Sequence, residues 1–149
     1  RTGRNRDPRD PGRMTMSGPT SFFEVGHRAM SAQLVRMNTA ASNLANAGSI
    51  AGSEEEAYRP MRTVFEQELD KASGLSSVRV GGVVREDVAA IRRHDPGHPL
   101  ADENGDVWEA PVDENAEMVE MLEASRQYRN MIEAMSTAKQ LMLETMRMK

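Results

Sequence analysis

The stretch AEMVEMLEASRQYRNMIEAMSTAKQLMLETM, Ala116 to Met146, sets Met118, Met121, Ser125, Tyr128, Ile132, Met135, Lys139, Met142 and Met146 at alternating steps of three and four. That is the spacing of a heptad seam, sustained over about four heptads. Glu114, Glu117 and Glu120 load its first turns with negative charge, and Lys139, Arg147 and Lys149 load its end. Both choices suit the helix dipole. A helix from about Asp113 to the end would span roughly 55 Å.

A second seam opens the chain: Phe23, His27, Met30, Leu34, Met37, Ala41 and Leu44 follow one another at steps of four and three. Thr20 or Ser21 is the expected cap, with Glu24 completing a capping box, and Gly48 supplies a left-handed stop. Such a helix runs roughly 40 Å. The apolar positions are filled by Met and Ala more than Leu, and Ser125, Lys139 and His27 interrupt them. Residues of this kind make an adaptable interface in place of a tightly specified core.

Between the seams, SIAGSEEEA reads as a polar loop over 48–57, and 58–112 as a β-rich insert. YRPMRTVFEQEL alternates Met61, Thr63 and Phe65 on one face, with Pro60 at the strand start, where a missing donor is tolerated. SVRVGGVVRED gives a second strand region, whose Gly81 and Gly82 form a turn or a bulge. The expected fold is therefore mainly α with a small β insert: long N- and C-terminal helices, over 20–47 and 113–149, pair as a coiled coil around a β-rich middle domain. Residues 1–19 form a flexible basic tail. Its first thirteen residues hold five Arg, two Asp, two Pro and two Gly without apolar period, and read as a leader before a start at Met14 or Met16.

Bulk composition limits function. Of 149 residues only 38% are hydrophobic, with three Phe, two Tyr and one Trp, so the core is thin and some order is expected to come from partners. A net charge of -4 argues against nucleic acid as the main partner, since phosphate binding needs a basic surface. No cysteine is present, which removes disulfides and thiolate metal sites. No apolar run approaches the roughly 20 residues that span a bilayer, and no secretory signal precedes the first helix.

HDPGHPLADENGDVWE, His94 to Glu109, is the one candidate for chemistry, with two histidines and five carboxylates. His94 and His98 have the spacing of a zinc pair on a helix, but Pro96, Gly97 and Pro99 forbid that helix. Asp102, Asn104 and Asp106 stand at the first, third and fifth positions of a calcium loop. The sixth is Val107 where Gly is needed, and the twelfth is Asp113 where a bidentate Glu is expected. Turning explains these residues better: Asp-Pro-Gly presets one turn, His-Pro another, and Asn104-Gly105 a tight hairpin. Trp108 is expected to pack the small core of the insert or a neighbour. No nucleophile elbow, phosphate loop, dinucleotide fingerprint or zinc-protease helix is found, and no catalytic residue, metal or cofactor is assigned.

Taken together, MNTAASNLANAGS at the end of the first helix, HDPGHPLADENGDVW in the middle and the Ala116–Met146 seam resemble the proximal-rod family of bacterial flagellar axial proteins. Ser42 to Asn46, with Asn43, Leu44 and Asn46, is shared widely among rod, hook and junction proteins. Asp95, Pro96, Gly97, His98, Pro99, Asp102 and Gly105, together with Arg126 and Tyr128, narrow the resemblance to the proximal rod. It covers about Ser21 to Met146. The resemblance implies a non-enzymatic subunit exported by the flagellar type III apparatus and built into the periplasmic drive shaft. Its implied partners are copies of itself, the sister rod subunits FlgB, FlgF and FlgG, the rod-base adaptor FliE, the export gate and the surrounding rings, with no membrane insertion.

From the residues alone, Asn43 and Asn46 read as caps on orphan carbonyls or as contacts to a neighbouring subunit. Arg126, Tyr128 and Arg129 read as a solvated face with one seam aromatic, or as an intersubunit contact. A free-standing coiled-coil adaptor and a metal-binding module using the His94–Asp106 loop are the other function classes.

Overall fold

The computed structural model describes residues 19–69 and 76–148. The Arg-rich residues 1–13, and all of the expected tail up to Pro19, lie outside them. Helix α1 (Pro19–Ala45) starts on a proline, whose fixed φ suits a first helical position. Thr20 and Ser21, the expected caps, are therefore inside the helix. At its other end the Asn46 and Ala47 amides bond back to Ser42, Asn43 and Leu44 carbonyls, and Gly48 leaves the helix at φ +71°. Helix α2 (Glu114–Arg147) begins at an Asp113 N-cap whose Oδ1 accepts from the Asn115 and Ala116 amides at 2.9 and 3.1 Å.

Among the described residues, five strands between the helices make two separate sheets. Strands β2 (Met61–Leu69) and β3 (Ser76–Arg85) form an antiparallel hairpin, paired from Met61↔Arg85 to Leu69↔Ser76. The register slips between Val64↔Gly82 and Phe65↔Val80, so Gly81 is the extra residue of a bulge and not a turn. An added Cβ at Gly81 would stand 2.7 Å from the Glu66 side chain. The second sheet has the order β1-β5-β4, from β1 (Ile50–Ala51), β4 (Ile91–His94) and β5 (Asp106–Glu109). Strand β1 falls within the segment expected as a polar loop. Two residues suffice because Ala110 N donates to Ser49 O at 2.9 Å, which extends the pairing with β5.

Small side chains make the core: Ala32, Ala40, Ala57, Val107, Ala110 and Ala124 are buried. Val107, fully closed off, contributes roughly 2 kcal/mol by burial. Its neighbour Trp108, expected to pack this core or a neighbour, is half-buried, because the two alternate across the pleat of β5.

The helices are antiparallel neighbours, tied at three levels. Asn43 bonds Glu117, Arg36 pairs with Glu120 at 2.6 Å, and a Cβ placed on Gly26 would meet Met135 Sδ at 2.6 Å. From Gly26 to Asn43 the contact runs along roughly 25 Å of helix. Its stripe on α2 passes through the buried Glu117 and Ala124 and the half-buried Met121, Tyr128, Met131, Met135, Ala138 and Met142. Steps of four and three are kept, but every second position sits one residue before the expected one. On α1 the shielded stripe is Gly26, Ala29, Gln33, Arg36, Ala40 and Asn43, while Ala32, Val35 and Thr39 are covered on a further side.

Candidate functional site: a buried polar junction and exposed helix faces

The least expected feature lies where α1, α2 and the root of the hairpin meet. Asn43 has no exposure and Glu117 is 2% exposed. Asn43 Nδ2 donates to Met61 O at 2.9 Å and to Glu117 Oε2 at 3.1 Å. Its Oδ1 accepts from the Met61 amide at 2.8 Å and from the Tyr58 hydroxyl at 2.9 Å. The side-chain amide thus pairs with both backbone groups of Met61, as a neighbouring strand would. Glu117 Oε1 takes the Arg62 guanidinium, which also reaches Glu86 Oε1 at 3.1 Å.

This corrects the cap reading of Asn43, whose side chain bonds no carbonyl of α1. Its donors and acceptors are all engaged inside the chain. Asn46 does act locally, its Nδ2 donating to Ser42 O at 2.8 Å. Among the described residues no buried side-chain nitrogen or oxygen lacks a partner. Satisfaction matters here because a buried carboxylate left unpaired is costly. Burial and then the Glu117 charge push the Tyr58 phenol above its ordinary range, which keeps it a donor to Asn43. Burial acts to lower the Arg62 pKa, but the hydrogen bond and charge of Glu117 raise it on balance.

The loop from His94 to Asp106 is closed by its own side chains. Asp106, 4% exposed, accepts from Arg92 Nε at 2.7 Å, and its other oxygen lies 2.9 Å from His94 Nδ1. These contacts, His94 first, hold the Asp106 carboxyl below the usual aspartate range. Asp102 Oδ1 accepts from the Asn104 and Asp106 amides at 2.8 Å each, so the calcium-like spacing serves a backbone turn. Asp95 N donates to Gly105 O, the His98 amide to Asp95 O, and His98 Nδ1 accepts from the Leu100 amide. Within this loop Gly105 alone takes a positive φ, +78°, so Asn104-Gly105 is not the tight hairpin expected: β4 and β5 are joined through all of residues 95–105, and a Cβ on Gly105 would stand 2.9 Å from Pro96 Cβ. Gly97 and Pro99 are exposed. Among the described residues no group of three or more His, Asp or Glu is placed to hold a metal ion.

The seam residues divide. Phe23, Met30, Met37 and Leu44 on α1, and Met121, Tyr128, Met135 and Met142 on α2, are half-buried within the chain. Leu34, Ala41, Met118, Ile132 and Met146 point outward, at 41% for Leu34, 47% for Met118, 45% for Ile132 and 62% for Met146. Val119, Leu122 and Leu143 join them on the surface of α2. Arg126, 3.7 Å from Glu123, and Arg129 are exposed too.

The sequence reading missed Glu117, Arg62 and Tyr58. A signal existed: Asn43 falls three residues after Ala40 and four before Ala47, as a polar residue does when it is buried in an otherwise small-residue stripe.

Two family models match the parts of the chain that make this arrangement. Residues 23–48 match the model described as flagella basal body rod protein, and residues 104–148 match the model for the C-terminal part of the flagellar basal-body rod FlgEFG proteins. Paired terminal helices carrying these signatures define a flagellar axial subunit. The flagellar basal-body rod protein FlgC of Salmonella typhimurium is 38% identical over 126 residues, covering 85% of this chain and 94% of its own. Its counterpart in Escherichia coli O6:H1 is 36% identical with the same coverage, and that of Buchnera aphidicola from Schizaphis graminum is 30% identical over 128 residues, again covering 85% and 94%. The chain belongs to the FlgC family of flagellar basal-body rod proteins, structural subunits of the bacterial flagellum. Among the described residues no helix is long and apolar enough to cross a membrane.

Proposed function

We propose that the chain is a proximal-rod subunit of the periplasmic drive shaft, assembling helically through its terminal helices. One observation carries this reading: Leu34, Met118, Ile132 and Met146 stay exposed on helices whose opposite sides are already paired. Exposed apolar rows on a small subunit mark protein contacts. Contacts between unlike surfaces that do not close a ring generate helical tubes. The α1–α2 pair is a short antiparallel coiled coil that lines the tube and its export channel, and the two small sheets face outward.

Its partners on this reading are further copies, sister subunits of the FlgB, FlgF and FlgG type, the FliE adaptor and export gate at the base, and the surrounding rings. Met-rich contact rows tolerate slightly different neighbours, which a mixed shaft presents. Passage through a type III channel fits a core of alanines that unfolds readily. The test is electron microscopy of basal bodies from cells lacking this chain and from cells in which it is restored. The reading predicts an export base without a complete rod or hook, and rescue of both on restoration. Intact flagella without the chain would refute it.

A further inference from the structure

Strand β2 lies along α1, held at its two ends by contacts of opposite character. At the root are the Asn43 amide on Met61 and, beside it, Thr63 Oγ1 at 3.2 Å from Thr39 Oγ1. Toward the far end, Arg28 Nη1 donates to Glu68 Oε2 at 3.2 Å and to Ser77 Oγ at 3.3 Å, while its Nη2 holds Glu24 at 2.8 Å. Arg28 to Asn43 covers roughly 22 Å of helix, and Met61 to Glu68 roughly 23 Å of strand, so the two elements stay in step between the clasps.

The clasps differ in exposure. Asn43, Glu117 and Pro60 are fully buried at the root. At the far clasp the side chains of Arg28 and Glu68 are 42% and 48% exposed, and of the groups that meet there only Ser77 is buried. Exposed pairs are weak and are screened by salt. Apolar packing at that end is limited to the buried Ala32 and the half-buried Val35 and Val80, since Phe65, Leu69 and Val78 are themselves exposed. Beneath it runs an open groove lined by Ala32, Val35, Val78 and Val80.

We infer that the hairpin is an arm hinged at the buried Asn43–Glu117–Arg62 junction and latched at its far end by Arg28. Opening the latch swings the far end away from α1 and parts the two walls of the groove, while the root and the helix pair stay as they are. Asn43 is a positioning residue for the whole arm, and Arg28 for its outer half only. In the shaft proposed above, such an arm would meet unlike neighbours without disturbing the helix pair. The test is made on the isolated full chain, so its outcome is independent of the rod reading.

The chain has no cysteine, so introduced pairs carry spin labels uniquely. Leu69→Cys with Asn130→Cys reports the far end of the arm, and Val84→Cys with Asn130→Cys its root. Pulsed dipolar distance measurements should show one narrow distance for each pair at low salt. Arg28→Ala, or salt near about 1 M where the screening length is about 3 Å, should broaden the far-end distance by a few-fold gain in open arm and leave the root distance unchanged. Asn43→Ala should broaden both. Glu117→Gln serves in its place should circular dichroism show that Asn43→Ala is unfolded. A far-end distance unmoved by Arg28→Ala and by salt overturns the latch. Root and far end broadening together in Arg28→Ala overturns the hinge, as does a root distance that stays narrow in both junction variants.

Discussion

Asn43 Nδ2 lies 3.1 Å from Glu117 Oε2, joining two helices through residues 74 apart in the chain and closed off from solvent. Four hydrogen bonds on one amide then bring the root of the hairpin to the same point. Asn43→Ala leaves the Met61 backbone and the Tyr58 hydroxyl without their partner, and is expected to cost about 2 to 3 kcal/mol. Urea denaturation followed by circular dichroism measures this; a loss under about 0.5 kcal/mol, the range of surface substitutions, contradicts it.

The Arg62–Glu117 pair is asymmetric, since Arg62 is 45% exposed and Glu117 2%. Arg62→Ala strands a buried carboxylate and should destabilise by about 2 kcal/mol, less than a wholly buried pair because water reaches the guanidinium side. Combining Arg62→Met with Glu117→Met should restore most of that loss. A double-mutant cycle with no coupling between the two positions would show that the ion pair does not organise the junction.

Gly26 faces Met135, whose sulfur is the flexible end of its side chain. Gly26→Ala should be close to neutral, because the gain in helix propensity, about 1 kcal/mol, offsets a rotation of Met135. Gly26→Val should cost about 2 kcal/mol, with Met135→Ala in the same chain recovering part of it. Equal stability for the valine and alanine variants would mean that the helices separate easily at this level.

Asp106 is more acidic in the folded chain than in the unfolded one, through His94 and then Arg92. In acid the unfolded state therefore binds more protons, and stability rises with pH. The contribution is present above the ordinary aspartate value of 3.8 and is lost as pH falls through the depressed folded value. Asp106→Asn should flatten this acid limb in urea midpoints measured against pH. Tyr58 has the opposite sign: raised in the fold, it contributes stability that is lost as pH climbs above its ordinary value of 10.0, and Tyr58→Phe should remove that alkaline limb.

Met118, Ile132 and Met146 should be silent in the isolated chain. Changing each to Ser should alter folding stability by no more than about 0.5 kcal/mol, yet abolish swimming when the variant replaces the parent in cells. A loss of stability large enough to account for the defect would move these residues from the assembly surface to the fold.

Much of this architecture is legible in the sequence because long heptad spacing survives any local detail. Both helices, the two long strand regions, the turn-forming role of His94–Asp106 and the Asp113 start of α2 follow from spacing, proline and glycine. The rotation of the seams does not. A hydrophobic pattern ranks Met118 and Ile132 above Glu117 and Ala124, whereas close helix approach selects the small residues Gly26, Ala40 and Ala124 and lets a satisfied polar pair replace apolar contact. Strand β1 escaped for a related reason: two residues carry no period, and their pairing depends on Glu109 and Trp108, far along the chain.

Density for the intact basal body at side-chain resolution separates the internal junction from the assembly face. Asn43, Arg62 and Glu117 should keep their contacts within each subunit, while Leu34, Met118, Ile132 and Met146 become buried against neighbours. If those four side chains remain in solvent in the assembled rod, or Asn43 instead bonds across a subunit boundary, the division between internal junction and assembly face is wrong.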